Sequence, residues 1–303
     1  VSGVPAMHPG QLALPPAVVR RLVAAQFPAW RDLPVRPVRS DGTVNALFRI
    51  GDELVARFPL RPGPPARLRE ELRREAEAAR ELLGRTAVAT PAPVALGEPG
   101  PGCPVPWAVQ SWLPGTVADG CGSPALARDL ARFVADVRAL PTRGRTFRGT
   151  GRGGDLRAHD AWVEQCCARS EDLLDVPRCR AAWAALRTLP REQPDLLTHG
   201  DLVPGNVLVD PAGSGRLVGV LDVGGLGAAD PALDLVAAWH LFGQQAREEF
   251  HARLGCGELE RARGRAWAFA QAIGLVRYYL ESNPAMSALG RRTLERVLAA
   301  PGP

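Results

Sequence analysis

The chain contains no lysine: all 37 of its basic residues are arginine, set against 32 acidic residues. The abundance of Ala, Gly and Pro points to a GC-rich genome as the cause. The consequence is chemical, because every fixed cation here is a planar guanidinium that stays charged and grips oxyanions as a fork. No run of 18 uncharged apolar residues occurs, which excludes a membrane-spanning helix by sequence. Residues 1–10 lack a basic stretch followed by an apolar core, so no signal peptide is expected and cytoplasmic residence is the default. The six cysteines, at 103, 121, 166, 167, 179 and 256, form no C-x-x-C pair, and no His stands at zinc-ligand spacing from them. They are expected to be reduced packing residues. Net charge is +5, and basic residues alternate with acidic ones, as from Arg67 to Glu81. That pattern belongs to a solvated helix face and not to a nucleic-acid surface.

The length, 303 residues, suits one large domain or a two-lobed one. The most informative segment is His199-Gly200-Asp201-Leu202-Val203-Pro204-Gly205-Asn206, followed by Asp222 in Val220-Leu221-Asp222-Val223-Gly224. Leu196-Leu197, Val207–Val209 and Leu217–Leu221 are short apolar runs that read as buried strands. They would deliver Asp201, Asn206 and Asp222 to the floor of one cleft. There a carboxylate can accept a hydroxyl proton, while an amide and a second carboxylate hold the magnesium that bridges nucleotide phosphates. Protein kinases order the same groups as H-R-D-x-x-x-x-N and then D-F-G. Here Gly200 stands in place of the Arg.

Together with Ala229-Asp230-Pro231-Ala232-Leu233-Asp234-Leu235, these motifs make the chain resemble the aminoglycoside phosphotransferase family, over about residues 34–299. The resemblance implies an α+β, bilobal protein-kinase-like fold, with a small antiparallel-sheet N-lobe (residues 1–112, nucleotide-binding) and a larger, mainly helical C-lobe (residues 113–303, catalytic and acceptor-binding). It implies transfer of the γ-phosphoryl group of ATP, or of GTP, with Mg2+, to a hydroxyl of a small molecule. An antibiotic of the aminoglycoside or macrolide kind is the expected acceptor, with resistance as the consequence. The alternatives are a kinase of a small metabolite and a nucleotide-binding pseudokinase. A protein kinase fits less well, because D-F-G and A-P-E are absent. Neither nucleic acid nor membrane is an expected partner, and a monomer and a homodimer are both compatible with the sequence.

In this frame Asp201 is the base and His199 its catalytic neighbour, with Asn206 and Asp222 as metal ligands. Upstream, an amphipathic stretch at 11–30 predicts a helix, and Asn45–Ile50 and Glu53–Phe58 flank a Gly51-Asp52 hairpin turn. The preceding turn, carrying Ser40, Gly42 and Thr43, is expected to meet phosphate. Arg57 takes the position of a kinase's phosphate-binding Lys, where its fork can clamp oxygens. Leu68, Leu72, Ala76, Ala79 and Leu83 predict a helix over 66–84. Glu75 lies on or beside its apolar stripe and so needs a cationic partner, expected to be Arg57. Residues 85–104 read as a Pro- and Gly-rich connector, and backbone near Gln110, Ser111 and Trp112 is expected to meet the nucleotide base. Residues 142–157 read as an Arg-rich insert. Helices are predicted at 158–174, 178–189, 231–241, 247–254, 258–280 and 287–299. Asp155, Asp160, Glu164, Tyr278, Tyr279 and Glu281 are candidate acceptor contacts. The basic insert weighs against a polycationic acceptor. Asp230 is expected to cap a helix, and Asp234, in an apolar helix, to hold the catalytic-loop backbone or His199.

Overall fold

A computed structural model describes residues 10–39, 42, 44–120 and 122–301. The first part is a five-stranded antiparallel sheet in the order β1-β2-β3-β5-β4. Its strands are β1 (Val35–Val38), β2 (Asn45–Ile50), β3 (Leu54–Pro59), β4 (Pro93–Gly97) and β5 (Trp107–Ser111). Helix α1 (Pro16–Gln26) lays Val18, Val19, Leu22 and Val23 against a cluster holding Phe48, Ile50, Phe58, Trp107 and Val109. Phe58 and Trp107 stack at 4.8 Å between ring centroids, an arrangement worth about 0.5–1.5 kcal/mol beyond area burial. Gly97 is required beneath that indole, since a Cβ there would lie 2.1 Å from Trp107 Cε2.

Helix α2 (Pro65–Leu82) begins with Pro, whose missing N–H costs nothing in a first turn. Its Leu68 packs on the sheet cluster, whereas Ala79 and Leu82 belong to a second, larger core. The helix therefore bridges two cores, and Glu75 sits between them.

The second core is built by α3 (Pro124–Arg138), α4 (Asp160–Ala168), α5 (Val176–Leu186), α6 (Val236–Leu241), α7 (Gln244–Leu254), α8 (Glu258–Tyr278) and α9 (Pro284–Ala299). Short strands carry the segments of Asp201, Asn206 and Asp222. Strand β6 (Thr116–Val117) pairs with β8 (Val207–Val209), which pairs with β9 (Leu217–Val220); β7 (Leu196–Thr198) pairs with β10 (Gly227–Ala229). These are the α+β class and bilobal architecture expected from sequence. The five described cysteines are all buried and free, and burial pushes the thiols of Cys166, Cys179 and Cys256 up to about 11, as inert packing residues require. Among the described residues no helix is long and apolar enough to cross a membrane.

Two readings need correction. Residues 85–104 contain β4 as well as a connector. Pro93 opens an edge strand, a position where the missing donor is tolerated. The 231–241 helix divides into a 3-10 turn, Pro231–Leu235, and the α-helix Val236–Leu241.

Candidate active site

The catalytic loop is held from below by one carboxylate. Asp234 is fully buried, and its two oxygens accept the backbone N–H groups of His199 at 2.9 Å and Gly200 at 2.8 Å. Gly200 has φ +81°, where a side chain would strain the backbone. The His199 ring is also buried: Nδ1 accepts Asp201 N–H at 3.2 Å and Nε2 donates to the Leu221 carbonyl at 2.8 Å. Those two bonds fix the neutral, Nε2-protonated tautomer. They tie the residue before Asp222 to the loop that carries Asp201. The expectation of a catalytic role for His199 is therefore corrected to a positioning role, because both ring nitrogens are committed to backbone.

Asp201 is 40% exposed at its side chain. Its Oδ1 accepts Arg152 Nη2 at 3.0 Å and Gln271 Nε2 at 2.8 Å, while among the described residues Oδ2 has only Asn206 Nδ2, at 3.3 Å. One oxygen is thus held and the other is left for chemistry. Burial pushes the Asp201 carboxyl up, but the adjacent Arg152 charge and its hydrogen bond outweigh it and hold the group below its ordinary value. Gln271 Oε1 meets His240 Nε2 at 3.2 Å, and His240 Nδ1 meets Thr293 Oγ1 at 2.9 Å. Burial pushes His240 down to about 4, so it is neutral and donates to Gln271. This fixes the amide to donate to Asp201.

Asn206 Nδ2 donates to the Asp201 carbonyl at 2.9 Å, which turns its Oδ1 away from the loop. The Leu221 N–H donates to the Asn206 carbonyl at 2.8 Å, binding the segments of Asn206 and Asp222 together. Asp222 adopts φ 56°, ψ 44°, a left-handed conformation that a non-Gly residue holds at a cost and that concentrates at functional sites. Its Oδ1 accepts Arg57 Nη2 at 2.7 Å. An amide oxygen and a carboxylate, with substrate phosphates, match the oxygen donors that Mg2+ takes. Among the described residues no cluster of three or more His, Cys, Asp or Glu suits a metal, so any such ion would rest on this pair and its nucleotide.

Arg57 lies in β3 opposite Ala108. Its fork reaches Asp222, Gln110 Oε1 at 3.3 Å and Glu75 Oε2 at 3.9 Å. The expected Arg57–Glu75 pair is present but long, and the short contact is to Asp222. Burial raises the Glu75 carboxyl, Arg57 pulls it back, and the Asp222 charge raises it further. Gly224 lets the metal-side turn close on α2, since a Cβ there would stand 2.7 Å from Glu75 Cγ. A cavity of about 70 Å³ lies behind these groups, lined by Arg57, Glu75, Ala76, Ala108, Gln110 and Gly224.

Other expected nucleotide contacts change. Ser40 and Thr43 lie outside the described residues, and Gly42 is flanked by them. Gln110 turns its side chain to Arg57. The Trp112 amide is corrected as a base contact: it donates to the Glu53 carbonyl at 2.6 Å, while Arg49 covers the ring at 4.8 Å. Most acceptor candidates have partners within the chain. Asp160 is taken by Arg187, at 2.7 Å to Nε, and by Trp183 Nε1 at 2.9 Å. Glu164 is engaged by Arg180 Nε at 3.0 Å. Asp155 accepts Arg157 N–H at 3.0 Å as a turn cap. Tyr278 Oη accepts Arg61 Nη2 at 2.8 Å, and its ring meets Tyr279 edge-on. Glu281 is exposed.

Sequence reasoning missed Arg152 and Gln271. Gln271 had a signal: it is a lone amide within the apolar run Trp267–Ile273, and such a group needs a partner. Arg152 had none beyond its basic neighbourhood. The 142–157 stretch is no loose insert, since the Gly153 carbonyl accepts Asp230 N–H at 2.8 Å and Phe147 N–H donates to Asp195 at 2.7 Å.

Residues 35–272 match the family described as APH, phosphotransferase enzyme family. The chain is 38% identical over 107 residues to an aminoglycoside 3'-phosphotransferase of Streptomyces fradiae, a stretch covering 30% of this chain and 39% of that enzyme. It superposes on the GDP complex of aminoglycoside 2'-phosphotransferase-IIIa with a TM-score of 0.70 at 19% identity, covering 94% of this chain and 99% of the other. The macrolide 2'-phosphotransferase MphH of Brachybacterium faecium gives a TM-score of 0.60 at 21% identity, covering 95% and 99%. Both superpositions establish the fold. The chain belongs to the phosphotransferase enzyme family.

Proposed function

We propose that this member of the phosphotransferase enzyme family moves the γ-phosphoryl group of ATP or GTP to a hydroxyl of a small hydroxylated antibiotic. Residues 1–112 would bind the nucleotide, and residues 113–303 would bind the acceptor and carry the base. The observation that carries the reading is the linked set Asp201, Asn206 and Asp222. Backbone bonds join the three segments, and one oxygen of Asp201 is left lightly held. Asp201 Oδ2 accepts the hydroxyl proton, Arg57 contacts the phosphates, and Asn206 Oδ1 with Asp222 would hold Mg2+. When bound, that ion neutralises phosphate charge. Positioning and charge stabilisation supply most of such catalysis.

The surroundings of Asp201 favour a neutral acceptor such as a macrolide over a polycation. The cation Arg152 stands on the base, and the carboxylates Asp160 and Glu164 are already paired with arginines. An ammonium next to the reacting hydroxyl would meet the Arg152 guanidinium there.

The test is nucleotide consumption by the purified protein with Mg2+, ATP or GTP, and panels of macrolides and aminoglycosides, with Asp201→Asn alongside. Acceptor-dependent release of ADP or GDP that falls about 10²–10⁴-fold in the variant, the usual worth of a positioned base, is the expected result. Turnover that survives in Asp201→Asn refutes the assignment, and nucleotide binding without turnover on every acceptor favours a pseudokinase.

A further inference from the structure

We propose that Arg152 is a catalytic arginine supplied by the chain itself, which leaves Asp201 to bind the phosphoryl group in transit. The proposal rests on the phosphotransfer reading above.

Four observations lead to it. First, Arg152 makes the only ion pair to Asp201 among the described residues, at 3.0 Å, and the loop from Leu202 to Asn206 carries no cation of its own. Second, Asp201 does not need Arg152 for orientation. Gln271 already holds the same oxygen at 2.8 Å and is itself fixed by the buried His240. Third, Arg152 Nη1 is buried and has no hydrogen-bond partner among the described residues. A buried donor left unmade is costly, the more so on a charged group. An oxyanion arriving beside Asp201 would satisfy it. Fourth, the backbone that follows Arg152 is fitted closely. Gly153 sits at φ +103° where a Cβ would lie 2.7 Å from Ala229 Cβ, and a Cβ on Gly154 would lie 2.5 Å from Phe147 Cε1. The Gly153 carbonyl is bonded to Asp230 N–H. A surface arginine needs no such mounting.

The step balances as follows. The acceptor oxygen attacks phosphorus and forms a new P–O bond. The bond from phosphorus to the bridging oxygen breaks, and the nucleoside diphosphate leaves with that electron pair. The hydroxyl proton passes to Asp201 Oδ2. For the acceptor oxygen to lie about 2.6–3.2 Å from Oδ2 and about 3–3.5 Å from phosphorus, the equatorial phosphoryl oxygens must come within one side-chain swing of a guanidinium already on Oδ1.

The probe is aluminium fluoride with MgADP, and in parallel with MgGDP, titrated calorimetrically into wild type, Arg152→Ala and Arg152→Lys. Wild type is expected to bind the fluoroaluminate complex at least about 100-fold more tightly than the diphosphate alone, as transition-state mimics do. Arg152→Ala should keep its diphosphate affinity within about 2-fold and lose most of that gain, and Arg152→Lys should keep part of it, as a point charge without the fork. A gain undiminished in Arg152→Ala, or absent from wild type, overturns the proposal while leaving nucleotide binding intact. Failure of wild type to bind either diphosphate overturns the nucleotide reading, and this proposal with it. If Arg152→Ala does not fold, Arg152→Lys decides: a gain equal to wild type's would mean the fork plays no part and overturns the assignment.

Discussion

Removal of the Asp234 carboxylate should unseat the catalytic loop, and its cost follows from the structure. The group is fully buried and accepts two backbone N–H groups, at 2.9 and 2.8 Å. Hydrogen bonds to a charged acceptor contribute roughly 1.5–3 kcal/mol each, and removal of one partner leaves the other unsatisfied. Asp234→Ala therefore should cost about 3–6 kcal/mol of stability, a large share of the roughly 5–15 kcal/mol a typical protein has. Asp234→Asn keeps the shape and one acceptor oxygen, but it turns an NH₂ group against one of the two N–H donors, so it should lose about half as much. Urea unfolding by fluorescence is the assay, with the midpoint falling at unchanged slope. Diphosphate binding in Asp234→Asn should survive, because Arg57, Gln110 and Glu75 lie on other elements, while turnover should collapse as Asp201 loses its footing. A midpoint for Asp234→Ala within about 0.5 kcal/mol of wild type, the usual range of inconsequential surface changes, would show that the loop does not rest on this carboxylate.

Two further predictions concern pH and packing. Burial pushes His240 and His251 down to about 4, whereas in the unfolded chain they titrate near 6.5. As pH falls, the unfolded state takes up these protons first, so stability is full above about 6.5 and is lost progressively towards 4, by an amount on the order of 3 kcal/mol per histidine. Urea midpoints at about pH 7 and pH 5 should differ accordingly, and equal midpoints would refute the linkage. Gly224→Ala places a methyl 2.7 Å from Glu75 Cγ and should displace α2, raising the KM for nucleotide more than it lowers kcat. An unchanged KM would mean that the α2 contact has no part in nucleotide binding.

Much of this was legible in the sequence because it rests on local pattern. The strands around Asp201, Asn206 and Asp222 are short apolar runs, the α2 stripe repeats at helical spacing, and the need of Asp234 for a partner follows from its apolar setting. What escaped was set by contacts distant in sequence. Arg57 has Asp222 as its short partner, 165 residues away, and only packing of α2 and the Val223–Gly225 turn against β3 decides between that carboxylate and Glu75. Asp160 looked available for a substrate because nothing nearby in the chain shows that Arg187, 27 residues on, turns back to cover it. Tyr278 likewise is claimed by Arg61, 217 residues away. Charge and polarity mark which side chains need partners, but they do not choose among candidates that only the fold brings together.

The same Asp–Arg chemistry serves two purposes in this chain, and burial decides which. Asp230 and Arg263 are 2% and 6% exposed at their side chains and meet through Nη2 at 2.6 Å, with Trp267 Nε1 on the same oxygen at 2.8 Å. Breaking such a pair strands a charge in the interior, at about 3–5 kcal/mol, so it must stay closed and can only be scaffold. The pairs Arg57–Asp222 and Arg152–Asp201 differ. Their carboxylates are 41% and 40% exposed, with the arginines at 13% and 30%, so these pairs are less desolvated than Asp230–Arg263. Such pairs open at lower cost than the buried Asp230–Arg263 pair. In a chain without lysine, the forked cation makes this arrangement workable. A fork can pass from a carboxylate to a phosphoryl group and meet it through two nitrogens, which a single ammonium cannot do with the same geometry.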